Sequence, residues 1–357
     1  MAATLRDVAR LAGTSVAAVS AVVSGSVAGN IRVSSATRAR ILAAAAELSY
    51  TPNLLARSLV TRKTGVLGLV FPYSSAFVDR NPFCTQVMAG VFEEVVRQKY
   101  NLMLHTAAGD DWNASDARTL IDPRVDGLLL VLPAPHSPVV AHCLRKRFPC
   151  VSILYAAESE QVCTVNAEDE RGGRMATEHL LALGHRRLAH LCGVPGVASA
   201  EPRRRGYLAA CAAARLPERD ALVLPAGFDW HDGYRATLEL LALPAGRRPS
   251  ALFAANDLCA EGALRALREA GVRVPDDMAV VGYDNTWFAA MTQPALTSVA
   301  MPIQDMAVRA TRILIETIEG REVADRQPVL PVSLCIRDSC GARRSGAAPE
   351  TKGEPAC

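Results

Sequence analysis

The chain reads as a small all-α head joined to a larger α/β body with parallel, doubly wound sheets. Three observations predict this. The first 50 residues hold three short stretches with apolar residues at helical spacing. From Gly65 onward, short apolar runs alternate with amphipathic segments, the pattern of repeated β–α–β units. The length, 357 residues, allows two or three domains.

The head begins with Thr4-Leu5-Arg6-Asp7, a T-x-x-D pattern in which the acid can return a bond to the cap. Val8, Leu11 and Ala12 then form one apolar stripe, and Gly13 ends the helix. Thr14 and Ser15 can cap a second helix, in which Val19, Val22 and Val23 repeat the spacing. Two short helices around a glycine turn make a helix-turn-helix, a motif whose second helix enters a DNA major groove. A third helix, about 35–49, carries Ile41, Leu42, Ala45 and Leu48. Charge points the same way. Residues 1–64 hold eight basic and two acidic side chains, whereas the remainder is slightly acidic. A basic head on a near-neutral body suits a polyanionic partner.

In the body, 66–71, 102–105, 127–132, 151–154, 188–192, 251–254 and 278–281 read as strands buried on both faces. Helices are predicted at 84–99, 171–183, 203–214, 230–242 and 259–270. In such sheets ligands bind near the carboxyl ends of the strands. Residues 341–357, rich in Gly, Ala, Pro and charge, are expected to be disordered.

Several classes are disfavoured. Half the residues are hydrophobic and 21% are charged, so a packed core is expected. No apolar run is long enough to span a membrane. Arg6, Asp7 and Arg10 interrupt the first apolar stretch, so no signal peptide is read and a cytoplasmic address is expected. The ten cysteines include no C-x-x-C pair, so neither a metal site nor a cofactor is expected. There is no G-x-G-x-x-G after the first strand, no phosphate-binding G-x-x-x-x-G-K, no G-x-S-x-G and no H-E-x-x-H. No catalytic residue is therefore assigned.

DVARLAGTSVAAVSAVVSG, ELSYTPNLLARSL and TRKTGVLGLVFP follow one another from residue 7 to 72. LALGHRRLAHL, the run from Phe253 to Asn285, and PALTSVAMPI come later. In this order the motifs resemble the lactose-repressor (LacI/GalR) family of bacterial transcription regulators, over about residues 4–340. The resemblance implies a periplasmic-binding-protein-like body of two lobes joined by three crossovers. The expected division is a head at 1–50, a hinge helix and linker at 51–64, and an effector-binding and dimerisation domain at 65–340. Lobe 1 takes about 65–164 and 303–330; lobe 2 takes about 165–299 and 331–340.

The resemblance also implies roles. Ser15 and Ser20 match phosphate-contacting positions, and Val16, Ala17 and Ala21 match base readers. Pro52 opens the hinge helix beside Asn53, Ala56 allows close approach to a second copy, and Leu59 matches a minor-groove wedge. Family members usually carry Arg where this chain has Ala21. Asn30 or Arg32, in a longer connecting segment, is expected to take over part of the readout. In the cleft, Arg203 matches a ligand-clamping position, Trp230 a ring that stacks on a sugar face, and Asn256 and Asp284 sit past strand ends. Phe83 is expected as a wall from lobe 1. Leu154 stands where many members place an acid, and Met301 where Gln is common, so either the ligand is less polar than a simple hexose or the first lobe binds it differently.

The implied protein is a homodimeric, ligand-responsive repressor of a palindromic operator, sensing a sugar, nucleoside or related small molecule. A solute-binding protein without DNA specificity is the alternative.

Overall fold

The computed structural model describes residues 3–23, 33–50, 63–71, 81–106, 118–157 and 159–342. It divides into two compact units, 1–64 and 65–357.

The head holds three helices, α1 (Leu5–Leu11), α2 (Val16–Val23) and α3 (Ser35–Glu47). The Thr4 hydroxyl accepts from the Asp7 N–H while the Asp7 carboxylate accepts from the Thr4 N–H, a closed capping box. The Ser15 hydroxyl accepts from the Ala18 N–H and starts α2. Val8, Ala9, Ala12, Val19, Val22, Ile41 and Ala44 form the core. Two expectations need correction. Leu11 is 47% exposed and Leu42 is 50% exposed, and Ala9 and Ala44 take their places inside. Helices this short meet so closely that alanines fit where leucines do not.

The body contains two six-stranded sheets. The first has β1 (Val66–Phe71), β2 (Asn101–Thr106), β3 (Gly127–Val131), β4 (Cys150–Ile153) and β5 (Cys163–Ala167), with helices α4 (Pro82–Gln98) and α5 (Pro138–Lys146) between strands. The chain then crosses into α6 (Asp169–Ala182), β6 (Leu188–Cys192), α7 (Ala200–Ala213), β7 (Ala221–Pro225), α8 (Trp230–Leu241), β8 (Ala251–Ala254), α9 (Asp257–Glu269), β9 (Ala279–Asp284) and β10 (Thr297–Ala300). It returns through Met301 and Pro302 to α10 (Ile303–Ile318) and β11 (Val329–Leu330), then crosses a third time to β12 (Ser333–Cys335).

The strand orders are β11-β5-β4-β3-β1-β2 and β12-β10-β9-β8-β6-β7. All pairings are parallel except β10 with β12. Both sheets thus reverse direction at equivalent points, between β1 and β3 and between β6 and β8. Parallel doubly wound sheets open a crevice at such switch points, at the strands' carboxyl ends. The inner strands β1, β3, β4, β6, β8 and β9 are buried almost throughout, as helices on both faces require, while β2, β7, β11 and β12 are partly exposed. Of the expected tail, Ala342 is instead 2% exposed and packs in the core. Residues 343–357 lie outside the described residues. No helix among the described residues is long and apolar enough to cross a membrane.

Candidate functional site

Each lobe contributes strand ends to one cavity of about 540 Å³. That volume is within the range of about 300–1,000 Å³ usual for small-molecule sites. From the first sheet come Leu132–Pro135 after β3 and Leu154 after β4, with Asn81 and Phe83 at the start of α4. From the second come Val194–Ser199 after β6, Phe228 and Asp229 after β7, Asn256 after β8 and Asp284 at the end of β9. Met301, in the second crossover, completes the wall.

Arg203 sits at the centre of the lobe 2 side and is 2% exposed. Its Nε donates to Asp169 Oδ1 at 2.8 Å, and Nη1 donates to the Ala255 carbonyl at 2.6 Å. The guanidinium lies 3.6 Å from the centroid of the Tyr283 ring. Nη2 donates to the Met301 sulfur at 3.7 Å and lies 3.6 Å from Asp284 Oδ1, an ion pair too long for a hydrogen bond. Helix packing fixes this geometry. A Cβ on Gly173 of α6 would collide with the Arg203 carbonyl, so only glycine lets α7 come close enough for the ion pair with Asp169.

Asp284 is buried and its Oδ1 has no hydrogen-bond partner. Burial pushes its carboxyl well above the ordinary carboxylate range, opposed by the Arg203 charge. Its backbone is also unusual, with φ at +98°. Asp284 Oδ1, without a hydrogen bond, therefore borders the cavity at ion-pair distance from Arg203 Nη2. A hydroxyl group, which accepts and donates at once, satisfies both.

Asn256 reaches the cavity with both ends of its amide engaged. Its Oδ1 caps α9 by accepting from the Cys259 N–H at 2.8 Å, and its Nδ2 donates to the Phe228 carbonyl at 3.0 Å. Phe83 lines the lobe 1 side as expected. Trp230 does not line the cavity. Its ring packs on His231 at 3.8 Å, with Arg265 at 5.1 Å on the ring. The aromatic wall at this end is Phe228, two residues earlier. Starting α8 at Trp230 turns the indole onto the helix's own side chains, and the loop residue ahead of the Asp229 cap faces inward. Asp169 and Tyr283 were also not foreseen. Tyr283 stands in the same strand run as Asp284, which is a local signal; Asp169 offers none.

Leu132 and Leu154 carry φ values of +50° and +56°. A bulky side chain in the left-handed region costs about 1–2 kcal/mol. Both leucines occupy strand ends that face the ligand space.

On the head, α2 turns Ala18, Val19 and Val22 into the core. Ser15, Val16, Ala17 and Ser20 lie exposed on the opposite side, with Ala21 half-buried between. Asn30, Arg32, Asn53, Ala56 and Leu59 lie outside the described residues. Among the described residues, no cluster of His, Cys, Asp and Glu is arranged to hold a metal ion.

A helix-turn-helix head on a body with a cleft at two switch points defines a ligand-sensing DNA-binding regulator. Comparison with known proteins narrows the class. The profile "Bacterial regulatory proteins, lacI family" matches residues 4–53, and "Periplasmic binding protein-like domain" matches 177–340. The ribose operon repressor of Escherichia coli K12 is 34% identical over 94% of this chain and 99% of its own length. A solved CelR–cellobiose complex is 33% identical, with a TM-score of 0.70 over 94% of this chain and 99% of that one. The lac repressor dimer bound to operator and the anti-inducer ONPF is 27% identical, with a TM-score of 0.81 over 95% of this chain and 99% of that one. The chain belongs to the LacI family of bacterial transcriptional regulators. These relatives are regulators rather than enzymes.

Proposed function

We propose that this chain is a cytoplasmic, homodimeric repressor whose hold on a palindromic operator changes when a neutral, hydroxyl-bearing small molecule of the sugar type fills the cleft. The observation that carries the reading is Asp284 Oδ1, buried without a hydrogen bond beside Arg203 Nη2 in a cavity at the strands' carboxyl ends. The relatives support the sugar class, since one is named for a ribose operon and another was solved with cellobiose.

In this reading residues 1–50 form the head, 51–64 the hinge and linker, and 65–340 the effector and dimerisation domain. Ser15 and Ser20 hold phosphates, while Val16, Ala17 and Ala21 meet base edges. With no guanine-reading Arg at Ala21, these three offer only apolar contact, which suits thymine methyls. Asn30 and Arg32 supply further readout, and Asn53, Ala56 and Leu59 act through the hinge. Phe83, Arg203, Asn256 and Asp284 contact the ligand; Trp230 holds α8 in place rather than stacking on it.

In vitro selection of random duplex DNA by the full-length protein tests this. The expected result is a two-fold symmetric site with A·T-rich half-site positions and a flexible central step. A pool with no enrichment, with and without a mixture of neutral sugars, refutes it.

A further inference from the structure

Along the helices of lobe 2, surface arginines are matched by a carboxylate one turn away. Arg174 faces Glu178, Arg204 faces Glu201, Arg235 faces Asp232 and Arg265 faces Glu269. One edge of the lobe breaks this pattern. Arg186 and Arg187 precede β6, Arg215 precedes β7, and Arg247 and Arg248 precede β8. These three strands are parallel neighbours, so their amino ends share one edge of the sheet, opposite the end that forms the cleft. The segments are tied together. Arg187 Nη1 donates to the Gly246 carbonyl, and the Ser250 N–H donates to the Arg187 carbonyl at 2.9 Å.

Among the described residues, none of these five arginines pairs with a carboxylate. Carbonyls hold three of them in place. Arg186 Nη1 donates to the Leu181 and His185 carbonyls at 2.9 Å, Arg187 to Gly246, and Arg248 Nε to Leu243 at 2.9 Å. A carbonyl fixes a guanidinium without cancelling its charge and leaves most of its five donors free. The acids beside Arg215 are Glu218 and Asp220, with Arg219 between them at 3.8 Å from Asp220. Before β9, Asp277 is held by Arg273.

We propose that this edge is a second DNA-binding surface, which holds the phosphate backbone of a duplex segment other than the one gripped by the head. Guanidinium forks match phosphate geometry, and a row of uncompensated cations draws a polyanion. A protein partner would call for an apolar, aromatic-rich centre. No large exposed apolar side chain stands in the three segments. The linker enters the body in lobe 1, where the Gly65 N–H donates to Asp126 Oδ2 at 2.8 Å, so the arginines belong to the other lobe. A regulator held on DNA by its head meets neighbouring duplex at an effective concentration in the millimolar range. Backbone contacts with a dissociation constant of about 10⁻⁴–10⁻⁶ M then suffice. The proposal is independent of what fills the cleft.

The test is photo-cross-linking of full-length protein to a mixed-sequence DNA duplex carrying photoreactive groups on its phosphates, at low salt, with the cross-linked peptides mapped by mass spectrometry. Wild type is compared with Arg186→Gln/Arg215→Gln/Arg247→Gln. The control is Arg174→Gln/Arg204→Gln/Arg235→Gln, which removes the same charge from paired arginines. The expected result is cross-links in the head and in the three segments before β6, β7 and β8. In the first variant the lobe 2 yield falls at least tenfold while the head yield stays within twofold; in the control both stay within twofold. No cross-link in lobe 2, an unchanged lobe 2 yield in the first variant, or an equal loss in the control overturns the proposal. Polyglutamate or single-stranded RNA that displaces the lobe 2 cross-link as effectively as unlabelled duplex overturns the assignment to DNA.

Discussion

Replacing Arg203 by Met removes one cation and keeps most of the side-chain length. Asp169 loses a partner at 2.8 Å, the Ala255 carbonyl loses one at 2.6 Å, and Tyr283 loses the cation on its ring. Asp284, already unpartnered at Oδ1, loses the nearest positive charge. Two carboxyl groups are then left in a site only a few per cent exposed. Breaking a buried ion pair from one side costs about 3–5 kcal/mol. In a body of this size, that corresponds to a drop in Tm on the order of 10 °C. The assay is thermal and urea unfolding of the full-length variant, followed by circular dichroism. The sign with pH is also fixed. Without Arg203 the charge that opposes burial at Asp284 is gone, so its carboxyl is pushed up further and binds more protons in the folded than in the unfolded state. The deficit is therefore full at pH 7 and shrinks as pH falls toward 4. A second change, Asp169→Asn, removes one stranded charge and recovers part of the loss. A single variant as stable as wild type within about 0.5 kcal/mol, a spread usual for surface changes, would refute the reasoning. Arg203 would then contribute to ligand contact alone.

Other consequences are as specific. Gly173→Ala forces α6 and α7 apart at the Arg203 carbonyl and is expected to destabilise the body by about 1–3 kcal/mol, read by urea denaturation. Asp257 is buried, and burial raises its pKa to about 6, so its contribution to stability falls as pH rises from about 4 to 6. His190, buried against Phe253, is pushed down to about 4, so its contribution rises over the same window. Asp257→Asn should remove that opposing contribution, so the stability of the variant should rise more, or fall less, than that of wild type between pH 4 and 6.5, as measured by denaturant titration across that range. Ala21→Arg on α2 should add guanine preference at one position per half-site, worth about 1–3 kcal/mol, seen in binding to a panel of single-base variants of the selected site.

What was legible in the sequence follows from distance along the chain. Val66–Phe71, Leu188–Cys192 and Ala251–Ala254 are strands at the residues expected, because each is an apolar run, interrupted only by His190. Cys163–Ala167 and Thr297–Ala300 were not foreseen. They carry Thr164, Asn166, Thr297 and Ser298, whose polar groups are satisfied only in the fold. Asn166 bonds the Tyr155 backbone, Ser298 donates to Asp257, and Thr297 donates to the Cys340 sulfur. A window of ten residues cannot see such partners. The helix Ile303–Ile318 has no capping side chain at Pro302 to mark its start. The site divides in the same way. Asn256 and Asp284 stand past strand ends, where local pattern places them, whereas Arg203 and Phe83 were reached through the family resemblance. Asp169 lies 34 residues before Arg203, and only the close crossing of α6 and α7 brings them together.

The central claim is coupling between the cleft and the operator. Its most direct test is the affinity of full-length protein for its selected palindrome, measured by fluorescence anisotropy at fixed salt, with and without a saturating neutral sugar identified by calorimetric titration. The account predicts a change of about 5–150-fold, the range of coupling free energies between linked sites, abolished in Arg203→Met. Equal affinity with the cleft empty and saturated would contradict it, because a ligand that binds both states alike shifts neither.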